Sequence, residues 1–490
     1  MMKRIFVVGL LTALVFGQIS AQDDLKKVKE TVYKSAIEAK VQFLASDEMK
    51  GRDTPSPELD LASKYLEAYL KEQGVKPIQE DGSYFQKVEM SSTAPPESGS
   101  LQMADSSFSF NKEMILLSGK DISASAELVF LNYGSPEDFE KADLKGKIAV
   151  TQIGTKGQSN VWAAYSLGKS KATMAAEKGA VALIELYKYP QPQWKLIRYY
   201  LGNGQTGLDS PGSELPYIWL EDVSGERKKI FESFSGEAKL DIKGASLKKF
   251  TVNNVLGIVE GTDPKLKDEY IIYSAHYDHV GVGKANEQGD TIYNGTRDNA
   301  IGTVAVMEAA KNIGRYPLKR SSVFIFFAGE EKGLLGSEWY VNHPAIPLQK
   351  TALCLNADNG GYNDTTFAMI VGLERITLQE EIAEACKSFG LEAKQDQVLD
   401  QGLYRRSDHF SFAEKGVPGV MYSMACTDFD EEIFKYLHQP SDNPNTVDYN
   451  YLTKFISSYV YSARLIGNAK EKPYWAEGDD YYKIGEELYD

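Results

Sequence analysis

Cysteine is scarce in this sequence of 490 residues, which contains only Cys354, Cys386 and Cys426. An odd count leaves at least one thiol unpaired, and a chain of this length does not need disulfides to hold its core together. Cys354 lies in the apolar stretch Ala352–Leu355, a setting typical of a buried core residue rather than of a nucleophile. No pairing of cysteine with histidine indicates a thiol enzyme.

Positive charge is also in short supply. The chain has 54 lysines and arginines against 69 aspartates and glutamates, a net charge of −15, and it has no dense basic block. Such a field repels nucleic acid and anionic lipid, so neither is an expected partner. Apolar residues make up 42% and charged residues 25%, ordinary values for a folded soluble protein.

The N-terminus reads as an export signal covering residues 1–21. Lys3 and Arg4 precede the almost wholly apolar Ile5–Gly17, and Ile19-Ser20-Ala21 offers a cleavage site with small residues. The apolar run is shorter than the roughly 20 residues of a membrane span, although an uncleaved anchor helix is the alternative. We therefore expect an exported protein, periplasmic or secreted, with no integral membrane span after removal of the signal.

Three patterns divide the rest of the chain. Residues 22–115, helical over their first half, form the N-terminal part of the main domain. Residues 116–250 contain short strands with glycine-rich turns and form a mostly β insert. In residues 251–490 buried strands alternate with helices, which indicates an α/β fold with a mixed, mainly parallel central sheet flanked by helices. Its predicted elements are the strands Tyr270–Ala275, Val323–Phe327, Ala352–Leu355 and Gly419–Tyr422 and the helices Ile301–Ile313 and Gln379–Phe389.

Side chains that can bind metal follow three of these strands. His276 and Asp278 come directly after the first, Glu330 and Glu331 come after the second, and Asp358 comes after the third. In an open α/β sheet, ligands bind in the crevice beyond the carboxyl ends of the strands. We therefore expect these side chains to meet in one crevice.

Two loops supply further candidates. Asp298 precedes the helix predicted from Ile301, and His438 lies in a polar segment that contains proline. Taken alone, Asp298 is better explained as the N-cap of that helix. The sequence has only five histidines, and two of them, His276 and His438, lie in these candidate sites.

Histidine and carboxylate side chains without a thiolate favour Zn²⁺, with Co²⁺ or Mn²⁺ as substitutes. Two ions about 3.5–4 Å apart would need a bridging carboxylate. The adjacent Glu330 and Glu331 cannot easily bind the same ion, so we expect one of them to be a ligand and the other a general base. Such a base would take a proton from the water that the metal activates and pass it to a leaving amine.

These motifs, in this order, resemble those of the M28 zinc metallopeptidases of the aminopeptidase type. The resemblance covers about residues 254–465 and implies the zinc-peptidase (phosphorylase-hydrolase-like) fold, and the loop Phe43–Arg52 resembles the N-terminal segment of the family. The matching motifs are His276-Tyr-Asp278, Gly295–Ala300, Glu330–Ser337, Asn356-Ala-Asp358, Ser407-Asp-His409 and His438–Asp442.

The resemblance also implies roles for individual residues and two zinc ions per chain. Glu330 would be the general base, and Asp278 would fix the orientation and tautomer of His276, as carboxylates commonly do for metal-bound histidines. Asp298 would be a bridging ligand, which replaces its interpretation as a cap. The implied ligands are His276 and Asp358 for one ion, Glu331 and His438 for the other, and Asp298 for both.

The insert resembles the protease-associated (PA) domain that is common in this family, from Asp143–Lys147 through Lys178–Ala180. The chain also departs from the family pattern. Arg297 and Ile301 stand where a small or acidic residue and a serine are more usual, and Asp358 is followed by Asn-Gly-Gly instead of an apolar residue. An inward arginine would compete with the metals, so we expect Arg297 to point outward, solvated or in a salt bridge.

A further segment supplies candidates for the substrate side of the site: Tyr404, Arg406, Asp408 and His409. An arginine there could bind a substrate carboxylate through a bidentate fork, and a structural salt bridge is an equal alternative. His279 has no role in this interpretation.

The leading functional hypothesis is hydrolysis of N-terminal residues from peptides. A carboxypeptidase or dipeptidase could use the same two-metal site, because the motifs do not reveal which end of the peptide is cut. A single-zinc glutaminyl cyclase and an inactive binding or receptor homologue are weaker alternatives, because all five predicted ligands and Glu330 are present. The sequence makes no prediction about the oligomeric state.

Overall fold

The computed structural model describes residues 22–104, 106–209 and 212–490, without the side chain of Trp162. The predicted export signal lies outside these residues. The chain divides into two compact units: a main unit, which comprises the chain up to Val88 together with Val252–Asp490, and an insert, Glu89–Thr251. In the described part of the chain, no helix combines the length and the apolar character that crossing a bilayer requires.

The strands are given in chain order: β1 (Phe85–Ala94), β2 (Ser98–Met103), β3 (Ser106–Ser109), β4 (Met114–Ser118), β5 (Ile122–Phe130), β6 (Ile148–Gln152), β7 (Ala182–Tyr187), β8 (Gln205–Leu208), β9 (Tyr217–Glu221), β10 (Glu237–Lys243), β11 (Ser246–Val259), β12 (Tyr270–His276), β13 (Ser321–Phe327), β14 (Thr351–Ala357), β15 (Phe367–Val371), β16 (Glu392–Lys394) and β17 (Gly419–Met424).

The α-helices are α1 (22–31), α2 (Lys34–Leu44), α3 (Pro57–Glu72), α4 (Pro136–Lys141), α5 (Val161–Glu177), α6 (Trp194–Leu201), α7 (Glu226–Ser233), α8 (Ile301–Arg315), α9 (Leu335–Asn342), α10 (Gln379–Ser388), α11 (His409–Ala413), α12 (Glu431–Phe434), α13 (Tyr449–Asn468) and α14 (Tyr482–Tyr489). Thr296–Ala300 is a π-helical turn, and the 3₁₀ turns are Asp47–Arg52, Leu348–Lys350, Leu373–Arg375, Leu399–Gln401, Leu403–Arg405 and Pro444–Thr446.

The sheet of the main unit has the strand order β16-β15-β17-β14-β12-β13-β11-β1. The central strands β13, β12, β14 and β17 are parallel to one another, whereas β11 pairs with β13, and β15 with β17, in antiparallel fashion. These four parallel strands are buried along their whole length, apart from the half-buried Tyr270 at the start of β12, as their apolar runs predict. The predicted α/β fold with a mixed, mainly parallel sheet is confirmed.

Helix α8 shows how the helices cover this sheet. Ile301, Val304, Ala305 and Ile313 are among its buried apolar side chains, and Glu308 is the buried acidic one. Lys40 and Lys311 pair with the two oxygens of Glu308 at 2.8 and 3.5 Å. The pairing compensates a charge that would otherwise be costly to bury.

The insert has its own sheet, with the strand order β3-β2-β10-β5-β6-β7-β9-β4. It also contains the helices α4 to α7, in addition to the strands that the sequence pattern indicates. The insert also begins earlier than the sequence indicates, at Glu89 rather than at residue 116. The reason is long-range pairing, since Leu101 of β2 lies opposite Leu240 of β10.

A polar network lies inside the insert. Lys171 and Glu185 are buried and form an ion pair at 2.7 Å. The ammonium group of Lys171 also donates to the carbonyls of Gln152 and Gly154, and Tyr217 donates to Glu185 at 2.5 Å. These partners satisfy both buried charges.

Candidate metal centre

The carboxyl ends of three parallel strands bring the predicted metal residues together. His276 is the last residue of β12 and lies opposite Phe327, the last residue of β13. Glu330 and Glu331 follow β13, and Asp358 follows β14. Because parallel strands end at the same edge of a sheet, this topology places these side chains along one edge, as the sequence predicts.

Asp298 lies between the two predicted metal-binding histidines. Its Oδ1 is 3.2 Å from Nε2 of His276, and its Oδ2 is 3.1 Å from Nε2 of His438. On the far side, His276 is 3.1 Å from Oδ1 of Asp358, and His438 is 3.2 Å from Oε2 of Glu331. The two carboxylate oxygens of Asp298 therefore face two separate sets of donor atoms.

These donor sets fit two metal ions that share Asp298. One set is His276, Asp298 and Asp358, and the other is Asp298, Glu331, His438 and His279; within each set the donor atoms lie within 4.8 Å of one another. Zinc bound tetrahedrally at about 2.0–2.1 Å separates its ligand atoms by about 3.3 Å. The observed nitrogen–oxygen distances of 3.1–3.2 Å are close to that value.

His279 belongs to the second set, although the sequence analysis gives it no role. It is buried, and its Nδ1 lies 2.7 Å from Oε1 of Glu331. Its ring meets that of His438 edge to face, with 5.4 Å between the centroids. A Cβ on Gly295 would approach the His279 ring to 2.5 Å, so only glycine fits there. The available signal was its position in the run His276-Tyr-Asp278-His279.

Glu330 lies beside the donor sets without belonging to either. Its Oε2 is 4.0 Å from Nε2 of His276, and its backbone N–H donates to Oδ1 of Asp278 at 3.2 Å. Burial raises the pKa of Glu330 well above its usual range; His276 opposes this shift, and the nearby Asp358 carboxylate reinforces it. Of the two adjacent glutamates, Glu331 belongs to a donor set and Glu330 does not.

Asp278 is buried behind His276. Nδ1 of His276 lies 3.2 Å from the backbone carbonyl oxygen of Asp278 and 3.7 Å from its carboxylate. The hydroxyl of Thr54 donates to the other carboxylate oxygen of Asp278 at 3.1 Å. The backbone carbonyl therefore makes the closer contact with the His276 ring, and the carboxylate lies next to it.

Ser407 holds Asp358, although the sequence analysis assigns no role to this serine. Its hydroxyl makes a short hydrogen bond to Oδ2 of Asp358 and accepts one from the Asn356 side chain at 2.8 Å. The backbone N–H of Asn359 donates to Oδ1 of Asp358 at 2.7 Å. Both carboxylate oxygens are therefore fixed in direction.

The turn before α8 carries Asp298. The structure gives no cap hydrogen bond to Asp298; instead, the side chain of Asn299 accepts from the N–H of Gly302 at 3.0 Å. Asn299 also donates to the carbonyl of Ala357 at 2.9 Å, at the end of β14. The capping role falls to Asn299, which leaves the carboxylate of Asp298 facing the histidines.

Arg52 connects the N-terminal loop to this edge of the sheet. Its buried guanidinium donates to the carbonyls of Tyr277, Asn294 and Gly295 at 2.8, 2.9 and 3.0 Å, and to that of Leu44. It therefore joins the segment after β12 to the loop that carries Asp298. In the sequence, Arg52 stands out only as the last residue of the loop Phe43–Arg52.

The candidates for the substrate side occupy different surroundings. Asp408 and His409 are fully buried. Burial lowers the pKa of His409 to about 3 and raises the pKa of Asp408 to about 7. The half-buried Tyr404 donates to the carbonyl of Gly419 at 3.0 Å. Asp408 and His409 are thus shielded from solvent, whereas Arg406 is exposed. The substrate-side roles of Tyr404, Arg406, Asp408 and His409 stay predictions.

Arg297 is buried and not solvated, and it forms an ion pair with Asp442 at 2.7 Å. The salt bridge that the sequence analysis considers is thus present, but it lies inside the protein.

The three cysteines are buried and form no disulfide.

A mixed α/β sheet with histidines and carboxylates gathered at its carboxyl edge defines a class of metal-dependent hydrolases. Residues 254–462 match the profile of peptidase family M28. This match agrees with the family that the motifs resemble, and it indicates a peptidase.

Curated relatives agree with this assignment. The chain is 26% identical over 351 residues to "Aminopeptidase YwaD" of Bacillus subtilis, an alignment that covers 69% of this chain and 67% of that protein. It is 29% identical over 266 residues to a "Probable leucine aminopeptidase" of Arthroderma benhamiae, which covers 52% of this chain and 63% of that protein. The chain thus spans about two thirds of the length of these relatives.

Solved structures share the fold. The aminopeptidase from Aneurinibacillus sp. strain AM-1 superposes with a TM-score of 0.54 at 20% identity, covering 91% of this chain and 97% of that one. A peptidase M28 precursor from Shewanella amazonensis gives a TM-score of 0.50 at 20% identity, with 93% and 98% covered.

Proposed function

We propose that this protein is a zinc aminopeptidase that binds two zinc ions per chain and removes N-terminal residues from peptides. The observation that carries the proposal is the position of Asp298, whose two oxygens face His276 and His438 at 3.2 and 3.1 Å. A shared carboxylate of this kind is what two ions about 3.5–4 Å apart require.

Each ion would have its own ligands besides Asp298. His276 and Asp358 would hold one, and Glu331 and His438 would hold the other. His279 would position Glu331 through its 2.7 Å contact or complete the second set itself. When bound, the ions would polarise the scissile carbonyl and activate water.

The chain's own contribution to proton transfer would come from Glu330. It lies next to both donor sets yet outside them, where a general base is needed. It would accept a proton from the attacking water and deliver it to the leaving amine. Asp278 holds the backbone N–H of Glu330 at 3.2 Å and so helps to fix where this residue lies.

Two arginines near the donor sets are not available to bind the C-terminal carboxylate of a peptide. A carboxypeptidase needs a cationic group for the substrate carboxylate, commonly an arginine fork. Arg52 and Arg297, which lie at the loop that carries Asp298, are both buried and bonded to protein groups. The named curated relatives are aminopeptidases as well.

The remaining predictions extend this proposal. We propose that the insert Glu89–Thr251 is a PA-like domain and that residues 1–21 direct export to the periplasm or outside the cell. Peptides would be the partners of the exported enzyme. Co²⁺ or Mn²⁺ would substitute for Zn²⁺ because the donors are imidazole and carboxylate.

The test is a substrate panel combined with a metal count. Purified chain, stripped and reloaded with zinc, is assayed on aminoacyl amides, C-terminally blocked and unblocked peptides and N-terminal glutaminyl peptides, with a chelator control. Two zinc ions per chain and chelator-sensitive release of N-terminal residues are expected. Release of residues from the C-terminus would indicate a carboxypeptidase instead. One zinc ion per chain with cyclisation of N-terminal glutamine would indicate a glutaminyl cyclase, and a metal-loaded but inactive protein would indicate a binding homologue.

A further inference from the structure

Arg297 makes a set of contacts that the predicted chemistry does not use. Its backbone N–H donates to Oδ2 of Asp442 at 2.8 Å, and its Nη1 donates to Oδ1 of the same residue at 2.7 Å. Thr446 accepts from the guanidinium twice, through its hydroxyl at 2.8 Å and its carbonyl at 3.0 Å. The arginine is only 2% exposed, so these bonds are shielded from water.

Two aromatic rings flank the same guanidinium. It lies 3.6 Å from the centroid of the Tyr436 ring and 5.2 Å from that of Tyr362. Cation–π attraction of this kind is stronger when the cation is desolvated, as it is here. Tyr436 precedes His438 by two residues, and Tyr362 follows Asp358 by four.

One side chain therefore touches three of the four loops that carry a predicted zinc ligand, namely those of Asp298, Asp358 and His438. Arg297 itself precedes Asp298, Tyr362 belongs to the loop after Asp358, and Tyr436 and Asp442 lie on either side of His438. The loops are also tied through Thr296, whose hydroxyl donates to the carbonyl of Asp442 at 2.7 Å.

His438 is the predicted ligand that most needs such support. Its side chain is 47% exposed, whereas that of His276 is 1% exposed. Its φ of 50° lies in the left-handed region, which residues other than glycine rarely adopt. A residue with this backbone shape and little packing of its own keeps its position only when its neighbours hold it.

The direction of the guanidinium agrees with a supporting role. It points toward Asp442 and not toward the carboxylate of the adjacent Asp298, so it does not compete with a bound cation. It also neutralises Asp442, a buried carboxylate that would otherwise add negative charge beside the donor sets.

We propose that Arg297 is a positioning residue that holds His438 and Asp298 in register and thereby sets the affinity of the ion bound by Glu331 and His438. The inference rests on the proposed two-zinc function. Arg297 would thus help to assemble one of the two metal sites without touching the substrate.

The test measures zinc affinity directly in the full chain. Metal-free wild type and R297Q are titrated with zinc against a chromogenic chelator, and the two dissociation constants are compared. In R297Q one of the two constants, that of the ion bound by Glu331 and His438, is expected to rise at least tenfold while the other changes less than threefold, and kcat should recover when zinc is added in excess. R297K keeps the charge but not the forked guanidinium, so its zinc dissociation constant should lie between those of the wild type and R297Q.

Milder variants keep the inference testable if R297Q folds poorly. Y436L removes the ring that faces the guanidinium, whereas the matched Y436F keeps it; only Y436L should weaken the second site. T446V removes one hydrogen bond at an exposed residue and should have a smaller effect in the same direction.

Two results would overturn the inference. One is a lower Tm in R297Q and Y436L with both zinc constants unchanged, which would make Arg297 merely structural. The other is an equal loss at both sites. Failure of the proposed function is distinguishable, because it appears in the wild type as a single zinc or as the absence of aminopeptidase activity.

Discussion

Glu330→Gln separates catalysis from metal binding. Glutamine has the same shape as glutamate but cannot accept and return a proton. The backbone N–H of residue 330 would still bond to Asp278, because that contact does not involve the side chain. Since burial already raises the pKa of Glu330, a neutral amide is tolerable in the same pocket.

The expected magnitude follows from the position of the side chain. Glu330 lies outside both donor sets, 4.0 Å from His276, so E330Q should still bind two zinc ions, although with lower affinity because one negative charge is lost. General base catalysis contributes about 10²–10⁴-fold. The kcat should fall by about that factor, which corresponds to roughly 2.7–5.5 kcal/mol in the transition state.

The assay compares E330Q with its neighbouring variant E331Q at saturating zinc, using one aminoacyl substrate. Metal content is measured on the same samples. E330Q should contain two zinc ions with little turnover, whereas E331Q should lose the ion that it shares with His438. Turnover of E330Q within about threefold of wild type would refute the proposed base, and loss of metal from E330Q alone would reverse the roles of the two glutamates.

Three further variants test the supports of the site and of the insert. His279→Ala should raise the dissociation constant of the zinc ion bound by Glu331 and His438 about 10–100-fold, as for other partners of metal ligands. His279→Asn should raise it less, because its amide can replace Nδ1. Constants equal to those of the wild type would refute the role. Ser407→Ala should weaken the site that contains Asp358 by a similar factor, measured by chelator competition, and unchanged affinity would contradict it. Lys171→Met leaves the buried Glu185 without its cation and should cost about 3–5 kcal/mol in urea unfolding of the insert, whereas a loss below about 1 kcal/mol would show that the pair adds little.

The strands that carry the site could be predicted because they are buried on both faces. Such strands are continuous apolar runs, and the predicted Val323–Phe327 and Gly419–Tyr422 lie inside the observed β13 and β17. The polar residue that ends each run marks the functional edge. Asp298 and His438 lie outside the strands, so their predicted roles as ligands depend on their motifs.

The supporting residues could not be predicted because their partners are remote in sequence. Arg52 bonds to the carbonyl of Tyr277, which lies 225 positions along the chain, and nothing in the local pattern marks that contact. The same reason explains the start of the insert, where β2 pairs with a strand about 140 residues later. Polar residues such as Asp408 are usually exposed, and only the tertiary fold reveals that this one is buried.

Several of the predicted zinc ligands are held by residues from another part of the fold, and this arrangement makes the site a property of the whole main unit. Ser407 directs Asp358, His279 directs Glu331, and Arg297 joins the loops of Asp298 and His438. A motif specifies which side chains can bind zinc, but their separation of 3.1–3.2 Å depends on these remote partners. A chain could therefore keep all five ligands and still lose its second ion if Arg297 or its partners changed.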